Sequence, residues 1–118
     1  MKYFTVEELS RSNVAQMKGI ANVPSPQHVA NMNRLVEITL DQARELYGKP
    51  ITVNSGYRSK ELDVAVGGAL RSYHLEGRAA DITTGTVAGN RRLFEILSEL
   101  PHVELIWEKG GSWIHVAL

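Results

Sequence analysis

The feature that most constrains this chain is a glycine pair near its C-terminus. Gly110-Gly111 separates two runs of strand-forming residues, Val103 to Glu108 and Trp113 to Leu118. Consecutive glycines supply the positive φ that a tight hairpin turn demands, so the segment reads as two antiparallel strands. That reading fixes a register. Whether the turn is Gly110-Gly111 or the four residues Lys109 to Ser112, Glu108 falls opposite Trp113 and Ile106 opposite His115. Side chains alternate along a strand, so Glu108 and His115 share one face as diagonal neighbours with Cβ atoms roughly 7 Å apart. The separation suits two groups serving one water molecule. Glu104, opposite Ala117, is expected on the same face but two steps further away.

Helical signals fill most of the remaining chain. Thr5 and Glu8 form a capping box that announces a short helix through about Ser10, and a polar, irregular segment follows. Pro24-Ser25-Pro26 then starts the main helix, with a serine cap and proline in the first turn. Val29, Met32, Val36, Leu40, Ala43 and Tyr47 recur at steps of three and four before Gly48 and Pro50 end the run. Ile51-Thr52-Val53 predicts a short buried strand, Asn54-Ser55-Gly56 a turn, and Ser59 the cap of a short helix ending at Gly67-Gly68. Ala79-Ala80-Asp81-Ile82 predicts a second strand, after residues 69–78, which read as a loop or the approach to a strand. Leu93, Ile96, Leu97 and Leu100 mark a last amphipathic helix over about 87–100, stopped by Pro101.

At 118 residues the chain reads as one domain, residues 1–118, whose site must lie in a surface groove because no second domain is available to form a cleft. It has no cysteine, which excludes disulfide staples, thiolate metal sites and thiol nucleophiles, and leaves histidine and carboxylate as metal ligands. Thirteen basic residues balance thirteen acidic ones, so the basic excess that holds a nucleic acid is missing. No apolar run reaches the length of a signal peptide or a membrane span. The expectation is a chain made in the cytosol without a signal peptide.

Chemistry concentrates in Ser72-Tyr73-His74-Leu75-Glu76-Gly77-Arg78-Ala79-Ala80-Asp81, which spaces an imidazole and a carboxylate seven residues apart with small residues between. A carboxylate at the start of a buried strand needs a cationic partner or an ion. His115, in the otherwise apolar run Trp113 to Leu118, needs a polar partner if it points inward, and is the natural third ligand. Two histidines and one carboxylate leave a fourth zinc position open, the arrangement of a catalytic site. Taken singly, each residue has a plainer reading: His74 a solvated loop histidine, Asp81 a turn former, His115 a core histidine bonded to a carbonyl. His28 and His102 read as a helix-start and a loop histidine, and Trp107 and Trp113, which invite a saccharide-stacking reading, read first as core or groove wall beside their apolar neighbours.

The segment follows the pattern S-x-H-x-x-G-x-A-x-D, Trp113-Ile114-His115 follows W-x-H, and Asn54-Ser55-Gly56-Tyr57-Arg58-Ser59 carries S-G-Y-R-S. Together these resemble the zinc D-alanyl-D-alanine carboxypeptidases, a family that includes vancomycin-resistance dipeptidases and phage endolysins cutting L-alanyl-D-glutamate bonds, with a metal site shared more distantly with the hedgehog signalling domain. The resemblance implies an α+β fold, an antiparallel sheet with helices packed on one side. It implies zinc held by His74, Asp81 and His115, and Arg58 pairing with a substrate carboxylate through its planar fork. Without it, Arg58 reads as an ion-pair partner of Glu61 or Asp63. Ser72 either bonds substrate or shapes its loop.

Many members place an acidic residue three positions before the second histidine, where this chain has Ser112. Serine is no proton acceptor at neutral pH, so the hairpin register assigns the general base to Glu108, whose plainer reading is a solvent-facing glutamate beside Lys109. The implied activity is zinc-dependent hydrolysis of peptidoglycan stem peptides, as a carboxypeptidase or an endopeptidase of phage-lysin type, by a monomer acting on the cell wall. The competing class is a catalytically silent module that keeps the zinc site for peptidoglycan binding or as part of a phage tail; Ser112 is its best support.

Overall fold

The computed structural model describes all 118 residues. Helix α1 (Val6–Ser10) starts where the Thr5 side chain accepts from the Glu8 N–H. The segment expected to be irregular contains a second helix, α2 (Asn13–Lys18), capped by Ser12 and stopped by Gly19 in the left-handed conformation. Its two caps were in the sequence, but its single buried residue, Ala15, gave no apolar periodicity to find it by.

The main helix runs as α3 (Pro26–Leu35), a π-helical turn over Val36–Leu40, and α4 (Asp41–Tyr47), ending at Gly48. Ser25 accepts from the His28 N–H while the His28 ring accepts from the Ser25 N–H, closing the cap from both sides. Leu35 and Thr39 are buried alongside Met32, Val36, Leu40 and Ala43, at the three- and four-residue steps of an ordinary helical face, and the wide turn lies within that face. Thr39 is fully buried, and its hydroxyl donates to the Pro101 carbonyl at 2.6 Å. Asp41 accepts from the N–H groups of Lys2 and Tyr3, which pins the N-terminus to the helix.

Four antiparallel strands, β1 (Thr52–Ser55), β2 (Ala79–Thr83), β3 (Glu104–Glu108) and β4 (Trp113–Ala117), form one sheet in the order β1-β2-β4-β3. Short α5 (Lys60–Ala65) follows Ser59 as its cap motif predicts, and α6 (Val87–Ser98) follows Thr86. Leu100 lies just past α6 and still packs on the core. The hairpin has the expected register, Glu108 opposite Trp113, Ile106 opposite His115 and Glu104 opposite Ala117. No helix is long and apolar enough to cross a membrane.

The sheet divides the molecule into a dry face and a polar one. Val53, Ala80, Ile82, Ile114 and Val116 face the helices and join Leu35, Val36, Leu93 and Leu97 in one core, each large aliphatic side chain contributing about 1.5–3 kcal/mol by leaving water. Trp107 belongs to this layer, edge-on to Phe94 at 5.7 Å. The helices thus pack on one side, as expected. Asn90, buried on α6, donates to the Gly111 carbonyl and accepts from the Thr84 N–H, fastening the hairpin turn to the helix.

Where a turn was expected at 54–56, β1 continues to Ser55 through a bulge. Pairing steps from Val53 opposite Ile82 to Ser55 opposite Asp81, so Asn54 is the extra residue. A strand without the bulge would send Ser55 to the core side; the insertion turns it to the polar face.

Candidate active site

Three register pairs line up one row of side chains across the polar face: Ser55 beside Asp81, Asp81 beside His115, His115 beside Ile106. Asp81 and His115 therefore meet because they are cross-strand partners on neighbouring strands. His74 arrives from outside the sheet, on a 3₁₀ turn over Tyr73–Glu76. Ser72 caps that turn by accepting from the His74 N–H, and the His74 carbonyl accepts from the Arg58 N–H.

The three side chains converge. Asp81 Oδ1 lies 2.9 Å from His115 Nδ1 and 3.2 Å from His74 Nε2. Its other oxygen is 3.4 Å from an Nη of Arg58. His74 Nδ1 sits 2.7 Å from the Gly56 carbonyl, which can only accept, so Nδ1 carries the proton and neutral His74 has its lone pair on Nε2. The His115 ring is held at both nitrogens, with Nε2 2.7 Å from Glu104 Oε1. Side-chain exposure is 3% for His74, 13% for Asp81 and 11% for His115. Burial by itself pushes the Asp81 carboxyl up, but the hydrogen bonds from His115 and His74 outweigh it and hold the group well below the usual carboxylate range. Burial likewise pushes His115 down, and its bonds to Asp81 and Glu104 outweigh that and raise it.

This donor set suits a divalent cation. His74 Nε2 faces a carboxylate oxygen at 3.2 Å, and the pair is satisfied either by a proton on Nε2 of a charged ring or, when the ring is neutral with its proton on Nδ1, by a cation between them. The facing atoms of His74, Asp81 and His115 all lie within 4.8 Å of one another. Two imidazole nitrogens and one carboxylate oxygen are the ligand types that bind zinc with a position left open.

The cluster lies on a cleft of about 330 Å³, lined also by Arg58, Arg71, Ser72, Glu108 and Trp113. Glu108 is thus on the face its register predicts. Glu104 is closer to His115 than expected, since it contacts the ring directly. The expectation erred because Glu104 and Glu108 each lie two residues from Ile106, the partner of His115, and are both diagonal neighbours of that histidine. The twist of the sheet makes the two diagonals unequal.

Arg58 is more deeply engaged than a free substrate receptor would be. Its Nε donates to Ser55, one Nη to Asp63 at 3.2 Å and the other to Asp81. The ion pair with Asp63, one of the two partners weighed from the sequence, is present and nearly buried. Three of the five guanidinium N–H donors are accounted for by these side chains. Ser72 shapes its loop and also lines the cleft. Arg71 was missed, having no signal beyond adjacency to Ser72. Ser112 Oγ donates to the Lys109 carbonyl, which makes it a turn residue. His28 caps α3 and stacks on Tyr57, and the His102 ring bonds the Leu100 carbonyl, so both stand apart from the cluster.

The sequence model of the family described as Peptidase M15 matches residues 2–117. A zinc D-Ala-D-Ala carboxypeptidase of Streptomyces albus G is 41% identical over 85 residues, which cover 70% of this chain and 32% of that protein. The chain thus spans about a third of that relative's length. The crystal structure of the Serratia marcescens L-Ala D-Glu endopeptidase ChiX is similar at a TM-score of 0.46 and 20% identity, covering 80% of this chain and 88% of that one.

Proposed function

The chain belongs to the M15 peptidase family, and from that premise we propose that it is a zinc metallopeptidase hydrolysing peptide bonds in peptidoglycan stem peptides at the cell wall. The observation that carries the reading is the meeting of His74 Nε2, Asp81 Oδ1 and His115 Nδ1 in a cleft that also holds Glu108 and two guanidinium groups. His74, Asp81 and His115 would hold the metal, and zinc bound there would supply Lewis acidity for the scissile carbonyl and the attacking water.

Glu108 takes a proton from that water as its oxygen attacks the carbonyl carbon, and returns it to the nitrogen as the C–N bond breaks, releasing an amine and a carboxylic acid. Arg58 meets a substrate carboxylate with its two remaining N–H donors while its other three keep it in place. Arg71, on the same cleft, adds a second positive charge for that carboxylate. Ser112 in a turn-forming role supports this reading over the silent module, since the base is then supplied by the other end of the same turn. The similarity to a D-Ala-D-Ala carboxypeptidase makes the terminal D-alanyl-D-alanine bond the first to examine.

The test is mass spectrometry of purified muropeptides incubated with the zinc-loaded protein. A shortened stem peptide is expected, lost with a chelator and regained with zinc, and the masses identify the bond. The wild type should bind about one zinc per chain and His115→Ala should lose it. Zinc at full occupancy with every muropeptide intact would make the silent module the correct reading.

A further inference from the structure

We infer that Glu104 is a positioning residue for the metal site: its carboxylate fixes the ring of His115 so that Nδ1, and not Nε2, is presented to Asp81 and His74. The inference rests on the metal-site reading above and adds a residue outside the ligand set.

The geometry starts from the ring itself. Imidazole nitrogens lie on different edges of a rigid five-membered ring, and in His115 one faces Asp81 at 2.9 Å while the other faces Glu104 at 2.7 Å. A half-turn of the ring about its bond to Cβ would replace both nitrogens with carbons at those contacts, losing two hydrogen bonds to carboxylates, each of the strong charge-assisted kind. Glu104 therefore selects one of the two ring orientations. With a cation on Nδ1, Nε2 would carry the ring proton and donate it to Glu104, which sets the tautomer and makes the ring a better donor.

The same logic operates on the other ligands. His74 has the Gly56 carbonyl on Nδ1, and Asp81 has Arg58 on the oxygen remote from His74 and His115. Each candidate ligand has its outward-facing atom occupied by a fixed partner, and Glu104 completes the set.

The position also separates the two glutamates of β3. Glu104 touches the edge of the His115 ring that points away from Asp81, so the ring stands between its carboxylate and the metal cluster. It is badly placed to exchange a proton with a water in the cluster. Glu108, the other diagonal neighbour, lines the cleft without that obstruction and retains the base role.

The test compares zinc affinity, by competition with a chelator, in the wild type, Glu104→Ala, Glu104→Gln and Glu108→Gln, with the thermal midpoint of each zinc-free protein as a folding control. Glu104→Ala should bind zinc about 10–100-fold more weakly. Glu104→Gln should lose less, because an amide oxygen still accepts from Nε2–H, and Glu108→Gln should bind as the wild type does. Nitrogen NMR of the zinc-loaded wild type should find the His115 proton on Nε2; this measurement and Glu104→Gln decide the matter if the alanine variant does not fold. Wild-type affinity in Glu104→Ala, a proton on Nδ1, or lost cleavage at unchanged affinity would each overturn the inference while leaving the metal site standing. A wild type that binds no zinc overturns the metal-site reading and this inference with it.

Discussion

The two histidines of the cluster come from regions built on different principles. His115 sits in a hairpin whose register follows from the position of its turn, and its ring is oriented by Glu104, a side chain on the adjacent strand. His74 sits in an irregular stretch between β1 and β2, and its ring is oriented by a main-chain carbonyl, that of Gly56. That stretch is held by backbone contacts, one to a distant element and one within itself: the Tyr57 N–H donates to the Leu9 carbonyl in α1, and the Arg58 N–H donates to the carbonyl of His74. A hairpin can present a ligand by local rules and tune it with one side chain. A loop needs its backbone fixed from elsewhere, so its ligand is only as ordered as the packing around it.

The contrast predicts that a hairpin side chain outside the ligand contacts, Glu108, can be replaced with loss of chemistry alone, whereas substitutions in the loop damage fold and metal binding together. The largest expected effect is on catalysis. Glu108→Gln removes the proton acceptor while keeping size and hydrogen-bonding capacity, and should lower muropeptide cleavage by about 10²–10⁴-fold. Zinc content and thermal midpoint should stay at wild-type values. If cleavage persists at full rate, Glu108 is not the base; if zinc is lost as well, Glu108 serves the metal site and not the chemistry alone.

The opposite pattern is expected at Gly56. A Cβ built there would lie 2.2 Å from the Leu9 carbonyl oxygen, and both groups belong to backbones that cannot swing aside. Gly56→Ala should therefore separate α1 from the loop, costing about 2–4 kcal/mol of unfolding free energy, and weaken zinc binding by displacing the carbonyl that orients His74. Urea denaturation with and without zinc measures both. A variant with wild-type stability would show that the loop is not held at this contact.

The same contrast explains what could be read in advance. The hairpin register and the caps of α1, α3 and α5 depend on short-range patterns and were legible in the residues, whereas the pairing of β2 with β4 that sets Asp81 beside His115 joins residues 34 apart and was not. The bulge at Asn54 was not, because Asn54-Ser55-Gly56 is equally good turn chemistry and only pairing with β2 decides between them. The π turn was hidden because Met32, Leu35, Val36, Thr39, Leu40 and Ala43 are buried at ordinary helical spacing, so no apolar pattern marks where the backbone widens. Contact between Arg58 and Asp81 joins residues 23 apart through the folded loop, so spacing alone could propose Arg58 for substrate and Asp63 for an ion pair without showing that it serves Asp81 too. Glu104 was within reach: the register that placed Glu108 beside His115 places Glu104 there by the same count, and only the handedness of sheet twist separates them.

The smallest expected effects lie in the glycine pair that set the register, and they test how local the hairpin is. Both glycines have positive φ, 67° at Gly110 and 91° at Gly111, and in the sequence they look interchangeable. Their surroundings differ. A Cβ at Gly111 would lie 2.1 Å from Cζ2 of Trp107, whereas one at Gly110 meets nothing within 4 Å. Gly111→Ala adds a clash with the Trp107 ring to its backbone strain and should cost about 2–3 kcal/mol. Gly110→Ala bears only the strain of a left-handed residue, about 1 kcal/mol, and Gly110→Asn should cost less, since asparagine tolerates that conformation. Thermal unfolding of the three variants measures the order. Equal losses at the two glycines would mean that turn conformation alone governs the hairpin; the expected inequality means that packing of Trp107 on the helical layer also holds the strand carrying Glu104 and Glu108 in place.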